Sequence, residues 1–136
     1  MSECIFCKIA SGEIPCIKVY EDKNTFAFLD RSPVNKGHTL VIPKKHSKTI
    51  LDTDENTLKH LMMTTKKVSK AIMDSLNVKG FNIGINQFEI AGQVVPHLHI
   101  HVMPRHKSDG IRLWPQRKYD NEEEMKKTAE KIKSLL

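Results

Sequence analysis

Pro96-His97-Leu98-His99-Ile100-His101-Val102 alternates histidine with aliphatic side chains without interruption. Successive side chains of a β-strand point to opposite faces, so Leu98, Ile100 and Val102 share one face and His97, His99 and His101 the other. A core accounts for the aliphatic face. Packing does not ask for three imidazoles in a row on the opposite one. Histidines two apart on a strand are about 6.5–7 Å apart at the backbone, and those four apart about 13 Å. Zinc–nitrogen bonds are about 2.0–2.1 Å, so two neighbours could share an ion, while all three on one straight strand could not easily do so. At least one imidazole is therefore left for something else, and nucleophilic or acid–base work on a phosphate fits the basic charge of the chain.

Working outward, this strand is expected over 94–103. A strand over 81–86 precedes it, joined by a loop through Gly92. Before that, Asp52 and Glu55 have capping-box spacing. Leu58, Leu61, Met62, Val68, Ile72 and Leu76 follow near 3.6 periodicity, which predicts an amphipathic helix packed on a sheet. A β-branched strand is expected over 38–43. Runs at 17–20 and 25–29, split by Glu21-Asp22-Lys23-Asn24, read as a hairpin. A helical turn over 5–10 closes at Gly12. At the other end, Asp120 and Glu123 repeat the cap signal, and Met125, Ala129, Ile132 and Leu136 predict a second amphipathic helix. Clustered strands around one long helix imply an α+β fold with a mostly antiparallel sheet.

The chain has 136 residues, 39% hydrophobic and 28% charged, and reads as a single domain over 1–136. No apolar run approaches the ~20 residues that span a bilayer. The N-terminus shows no basic start and no apolar signal core, so a cytoplasmic protein without membrane partners is expected. The net charge of +6 favours anionic partners such as phosphates and nucleotides. Nucleic acid is not favoured: there is no RNP pattern, no GXXG loop and few aromatics. Three cysteines, an odd number, argue against a disulfide framework. Cys4-x-x-Cys7 has metal-knuckle spacing with two ligands. A thioredoxin-like redox pair is the rival, and no strand precedes Cys4 as that fold requires.

His97-Leu98-His99-Ile100-His101-Val102 resembles the signature of the histidine triad (HIT) family. Cys4-Ile5-Phe6-Cys7-Lys8-Ile9, Gly12-Glu13-Ile14-Pro15, Phe28-Leu29-Asp30-Arg31-Ser32-Pro33, Gly37 through His46 and Ala91-Gly92-Gln93 are similar to further segments of that family. The resemblance implies a nucleotide hydrolase or transferase. Its central histidine, here His99, attacks the α-phosphate, and water then releases a nucleoside monophosphate. Expected substrates are nucleoside phosphoramidates or dinucleoside polyphosphates, with a purine nucleotide as ligand and AMP as product. By the same resemblance His101 and His38 support the phosphate and orient the nucleophile. Gln93 lies near the scissile bridge and Asn86 near phosphate or ribose. Asp30 accepts ribose hydroxyls, and Phe6, Ile9 and Phe28 form the slot for the base. Backbone amides around Gly92 to Val94 donate to phosphate.

The resemblance also implies a homodimer, and a structural zinc held by Cys4, Cys7, His46 and His97. Val94 stands where one eukaryotic branch has serine, so a hydroxyl donor is missing there. His101 stands where the uridylyltransferase branch has glutamine. The alternative to an enzyme is a nucleotide-binding scaffold with incidental turnover; the complete triad with Gln93 favours the enzyme.

Overall fold

The computed structural model describes residues 3–136. Five strands form one antiparallel sheet: β1 (Lys18–Glu21), β2 (Thr25–Leu29), β3 (Thr39–Pro43), β4 (Gly80–Gly84) and β5 (Ile100–Arg105), in the order β1-β2-β3-β5-β4. Helix α1 is Ile5–Ser11, α2 is Glu55–Leu76 and α3 is Glu122–Lys133. The fold is α+β, as the order of elements predicts.

Alternation along the strands gives the sheet two different faces. Ala27, Val41, Ile100 and Val102 point to one side, where Leu61, Val68 and Ile72 of α2 cover them. Phe26, Phe28, Leu40 and Ile42 point to the other, where α1 adds Phe6 and Ile9. One face is therefore a conventional core. The other is half core and half site.

Three local expectations need correction. Asp52 does not cap the long helix. It closes a capping box with Thr49 around a 3-10 turn at Ile50–Asp52, and Asp54 caps α2 by accepting from the Thr57 N–H at 3.0 Å. The strand expected over 94–103 is regular only from Ile100, because the Leu98 N–H donates to the Ser47 carbonyl (2.7 Å) rather than to β3. His97 and Leu98 still face opposite layers, so the alternation survives outside the ladder. Asn121, not Asp120, caps α3, accepting from the Glu124 N–H at 2.8 Å. The apolar stripe of α3 lies open: Met125 and Ile132 are more than half exposed.

Gly37, at φ +93°, makes the turn into β3. A Cβ there would run into Leu76 at the end of α2. Among the described residues no helix is long and apolar enough to cross a membrane.

Leu61, 1% exposed, sits at the centre of the α2–sheet layer. Leu61→Ala is expected to cost about 2–5 kcal/mol of folding stability, the range for a deleted core leucine. Urea unfolding followed by circular dichroism measures it, and a loss under about 1 kcal/mol would contradict this packing.

Candidate active site and metal centre

The histidines of the polar sheet face are oriented by main-chain groups, whose fixed donor or acceptor character assigns each tautomer. A carbonyl only accepts, so His97 Nε2 carries its proton to the Pro43 carbonyl at 2.8 Å. For the same reason His99 Nδ1–H donates to the His97 carbonyl at 2.7 Å. His99 Nε2 is then unprotonated and has no donor among the described residues. An amide N–H only donates, so Val34 N–H (3.1 Å) makes His38 Nδ1 the acceptor and places the proton on His38 Nε2. That proton goes to His101 Nδ1 at 2.9 Å, with Asp30 Oδ2 at 3.5 Å. His101 is left with Nε2–H as a donor without a partner among the described residues.

Burial holds His38 and His99 below the ordinary imidazole range and takes His97 and His101 down to about 4. All four are neutral near pH 7, as a nucleophilic imidazole requires.

His99 and His101 open onto a cavity of about 560 Å³, within the usual range for small-ligand sites. Phe6, Ile9, Phe28 and Leu40 make its apolar wall, and Asp30, Asn86, Gly92 and Val94 lie at its edge. Phe6 stands edge-on to Phe28 (centroids 5.5 Å apart) and to His99 (5.0 Å). Asp30 Oδ1 accepts from the Ser32 N–H at 2.8 Å, which fixes the carboxylate while leaving lone pairs for a ligand. The cavity thus combines an apolar slot, one carboxylate, one free imidazole lone pair on His99 and one unpartnered imidazole N–H on His101.

On the far side of Phe6, four donors converge. Cys4 Sγ lies 3.3 Å from His97 Nδ1, and Cys7 Sγ lies 3.5 Å from it and 3.4 Å from His46 Nδ1; the two Nδ1 atoms are 3.2 Å apart. Tetrahedral zinc sets about 3.3 Å between nitrogens and about 3.6 Å between nitrogen and sulfur. The observed separations fit it. Burial first, and Cys4 beside it, push the Cys7 thiol up to about 11, so a bound cation is what would make it a thiolate. His97 presents its lone pair here while its other nitrogen is tied to a carbonyl, the usual arrangement of a metal-ligating histidine. Asp30, His38 and His101 also converge. They do not suit a metal: the Val34 amide occupies His38 Nδ1, so His38 Nε2 is protonated.

A model of the HIT domain matches residues 11–108. The chain belongs to the histidine triad family. It is 38% identical to the adenosine 5'-monophosphoramidase of Schizosaccharomyces pombe over 135 residues, 98% of either chain. A HIT-family crystal structure from Bacillus subtilis superposes with TM-score 0.91 at 39% identity, covering 98% of this chain and 97% of that one. A zinc-bound family member from Mycobacterium smegmatis superposes with TM-score 0.77 at 36% identity, covering 99% of each chain.

Two expectations for this HIT site change on inspection. Gln93 is not on the cavity wall. Its Nε2 donates to the carbonyls of Lys48 (2.7 Å) and Val95 (3.1 Å), and its Oε1 accepts from Phe88 N–H (2.8 Å). It braces a loop in which Phe88 holds φ +69°, a strained value for a residue with a Cβ. The amides of Gly92 and Gln93 are likewise spent inside the loop, on Glu89 and Phe88 carbonyls. Val94 N–H, at the cavity edge, keeps no acceptor among the described residues. Gly92 holds φ +96°, which a residue with a Cβ rarely adopts, and a Cβ there would sit 3.3 Å from Asn86 Nδ2.

Sequence reasoning did not find Val34 and Pro43, which orient the histidines through the main chain and leave no side-chain signature. His106 stays off the cavity and exposed. His60 is half-buried on α2 beside Asn24.

A histidine held neutral in the fold costs stability wherever the unfolded chain would protonate it. For His101 that window runs from about 6.5 down to about 4, where the unfolded state binds more protons and stability therefore rises with pH. Denaturant midpoints are expected to fall steadily from pH 7 to pH 5, and His101→Gln to flatten the slope. A midpoint constant over that range would contradict a neutral His101.

Proposed function

We propose that this chain is a nucleotide hydrolase acting at the α-phosphate, with His99 as the nucleophile. The observation that carries this is the His99 Nδ1–H bond to the His97 carbonyl, which leaves Nε2 free at the cavity. The apolar wall of Phe6, Ile9 and Phe28 takes the base, Asp30 accepts ribose hydroxyls, and Asn86 and Val94 N–H face the phosphate end. His99 Nε2 forms a bond to phosphorus as the bond to the leaving group breaks. His101 Nε2–H, aligned through His38, donates a hydrogen bond to the departing atom, which takes its proton from solvent. Water then cleaves the phosphorus–nitrogen bond, returns His99 and releases a nucleoside monophosphate. Phosphoramidates and dinucleoside polyphosphates both carry a leaving group suited to this sequence. Similarity to a monophosphoramidase puts adenosine phosphoramidate first.

Cys4, Cys7, His46 and His97 hold zinc in this reading. The closed four-ligand set makes it structural, and its chemistry is to keep the thiolates and imidazoles together. A homodimer completes the proposal. The edge strand β4, with Ile83 exposed, adjoins Leu113 and Trp114, and the α3 stripe is also uncovered, so a second copy has apolar surface to bury.

His99→Ala is expected to lower AMP release from adenosine phosphoramidate by at least about 10³-fold while nucleotide binding persists. Peptide mass spectrometry after a rapid acid-free quench should find the adenylyl adduct on His99 in the unmodified protein. Undiminished turnover by the variant would rule out this nucleophile; tight AMP binding without turnover or adduct would favour the scaffold alternative. Native mass spectrometry should show two chains with two zinc ions, and a metal-free monomer would count against both assignments.

A further inference from the structure

Helix α1 belongs to both sites. Cys4 caps it, its Sγ accepting from the Cys7 N–H at 3.4 Å, and Cys7 lies in its first turn. Phe6, between them in sequence, points the other way into the cavity, and Ile9 follows one turn later. The ring of Phe6 packs edge-on against His99 and against His97, with centroids 5.0 Å and 6.0 Å away. A seven-residue helix is far too short to hold its place alone. Its attachment is the small apolar cluster with Phe26, Phe28, Leu40 and Ile42, together with the two thiols facing His46 and His97. His97 forms the second connection. The residue that offers Nδ1 to the donor set offers its carbonyl to His99 Nδ1–H.

We propose that the metal centre and the nucleotide cavity are thermodynamically coupled: the Cys4, Cys7, His46 and His97 donors act as positioning residues, through α1 and His97, for the base wall and for His99. This rests on the cavity being a nucleotide site and on the donor set holding zinc. Without the metal, α1 is released from the His97 side, Phe6 and Ile9 lose their fixed position, and the slot no longer matches the base. Coupling is reciprocal, so bound nucleotide must tighten metal binding by the factor by which metal tightens nucleotide binding.

Calorimetric titration of AMP into zinc-loaded protein, and into protein stripped of zinc but shown by circular dichroism to be folded, reads the coupling directly. AMP is expected to bind at least about tenfold more weakly to the stripped form, within the range usual for coupled sites. The reverse reading uses the loaded protein alone. Saturating AMP should raise the zinc affinity by a similar factor, read as a smaller equilibrium transfer of zinc to a chromogenic chelator, at a temperature where the fold signal stays constant. That second measurement decides the matter if the stripped chain does not fold. Phe6→Leu should keep the zinc and weaken the coupling, since the ring that touches both histidines is gone.

Equal AMP affinity in loaded and stripped protein, or zinc transfer from the folded protein that AMP leaves unchanged, overturns the coupling while the hydrolase reading stands. AMP binding to neither form overturns the hydrolase reading and the coupling with it. Failure to take up zinc removes the metal centre and the coupling, but leaves His99 untouched.

Discussion

The hydrogen bond from His97 Nε2 to the Pro43 carbonyl is the constraint on which the two-sided arrangement depends. It buries an imidazole completely without charging it, and so sets which nitrogen faces the thiols. The His97 main chain then presents its carbonyl to His99. Rotating that one ring would put a proton among the metal donors and disturb the segment that holds His99. A buried polar group is costly unless fully partnered, and here each partner does a second task.

The division of labour follows from alternation. One sheet face gives its aliphatic residues to α2, and this core supplies the rigidity. The opposite face has room for rings because only a short helix and several loops lie over it. Rigid strands with a thin cover favour precision without closing the cavity. The neutral states of His38, His99 and His101 come from the same geometry: burial disfavours the cation, and among the described residues no carboxylate except Asp30 lies near enough to oppose it.

Much of this was legible in the residues. The period-two pattern of 97–102 placed the histidines on one face, and the 3.6 period of Leu61, Val68 and Ile72 placed α2 on the other. The Cys4, Cys7, His46 and His97 donors, expected from family resemblance, do converge. What could not be read depends on which group a polar atom finds. Gln93 had the sequence context of a site residue, but three loop backbone groups claim its amide. Asp52 had the spacing of a helix cap and instead closes the turn before the helix. The period of Met125 and Ile132 shows that α3 has an apolar side; it says nothing of what covers it.

The partners that orient these rings are the carbonyls of Pro43 and His97 and the amide of Val34. Every amino acid has such a carbonyl, and all but proline have the amide. The chain path rather than the side chains of residues 34 and 43 therefore carries these contacts, and at position 34 only proline would delete one. The tautomers are inherited with the backbone trace rather than with particular letters of the sequence.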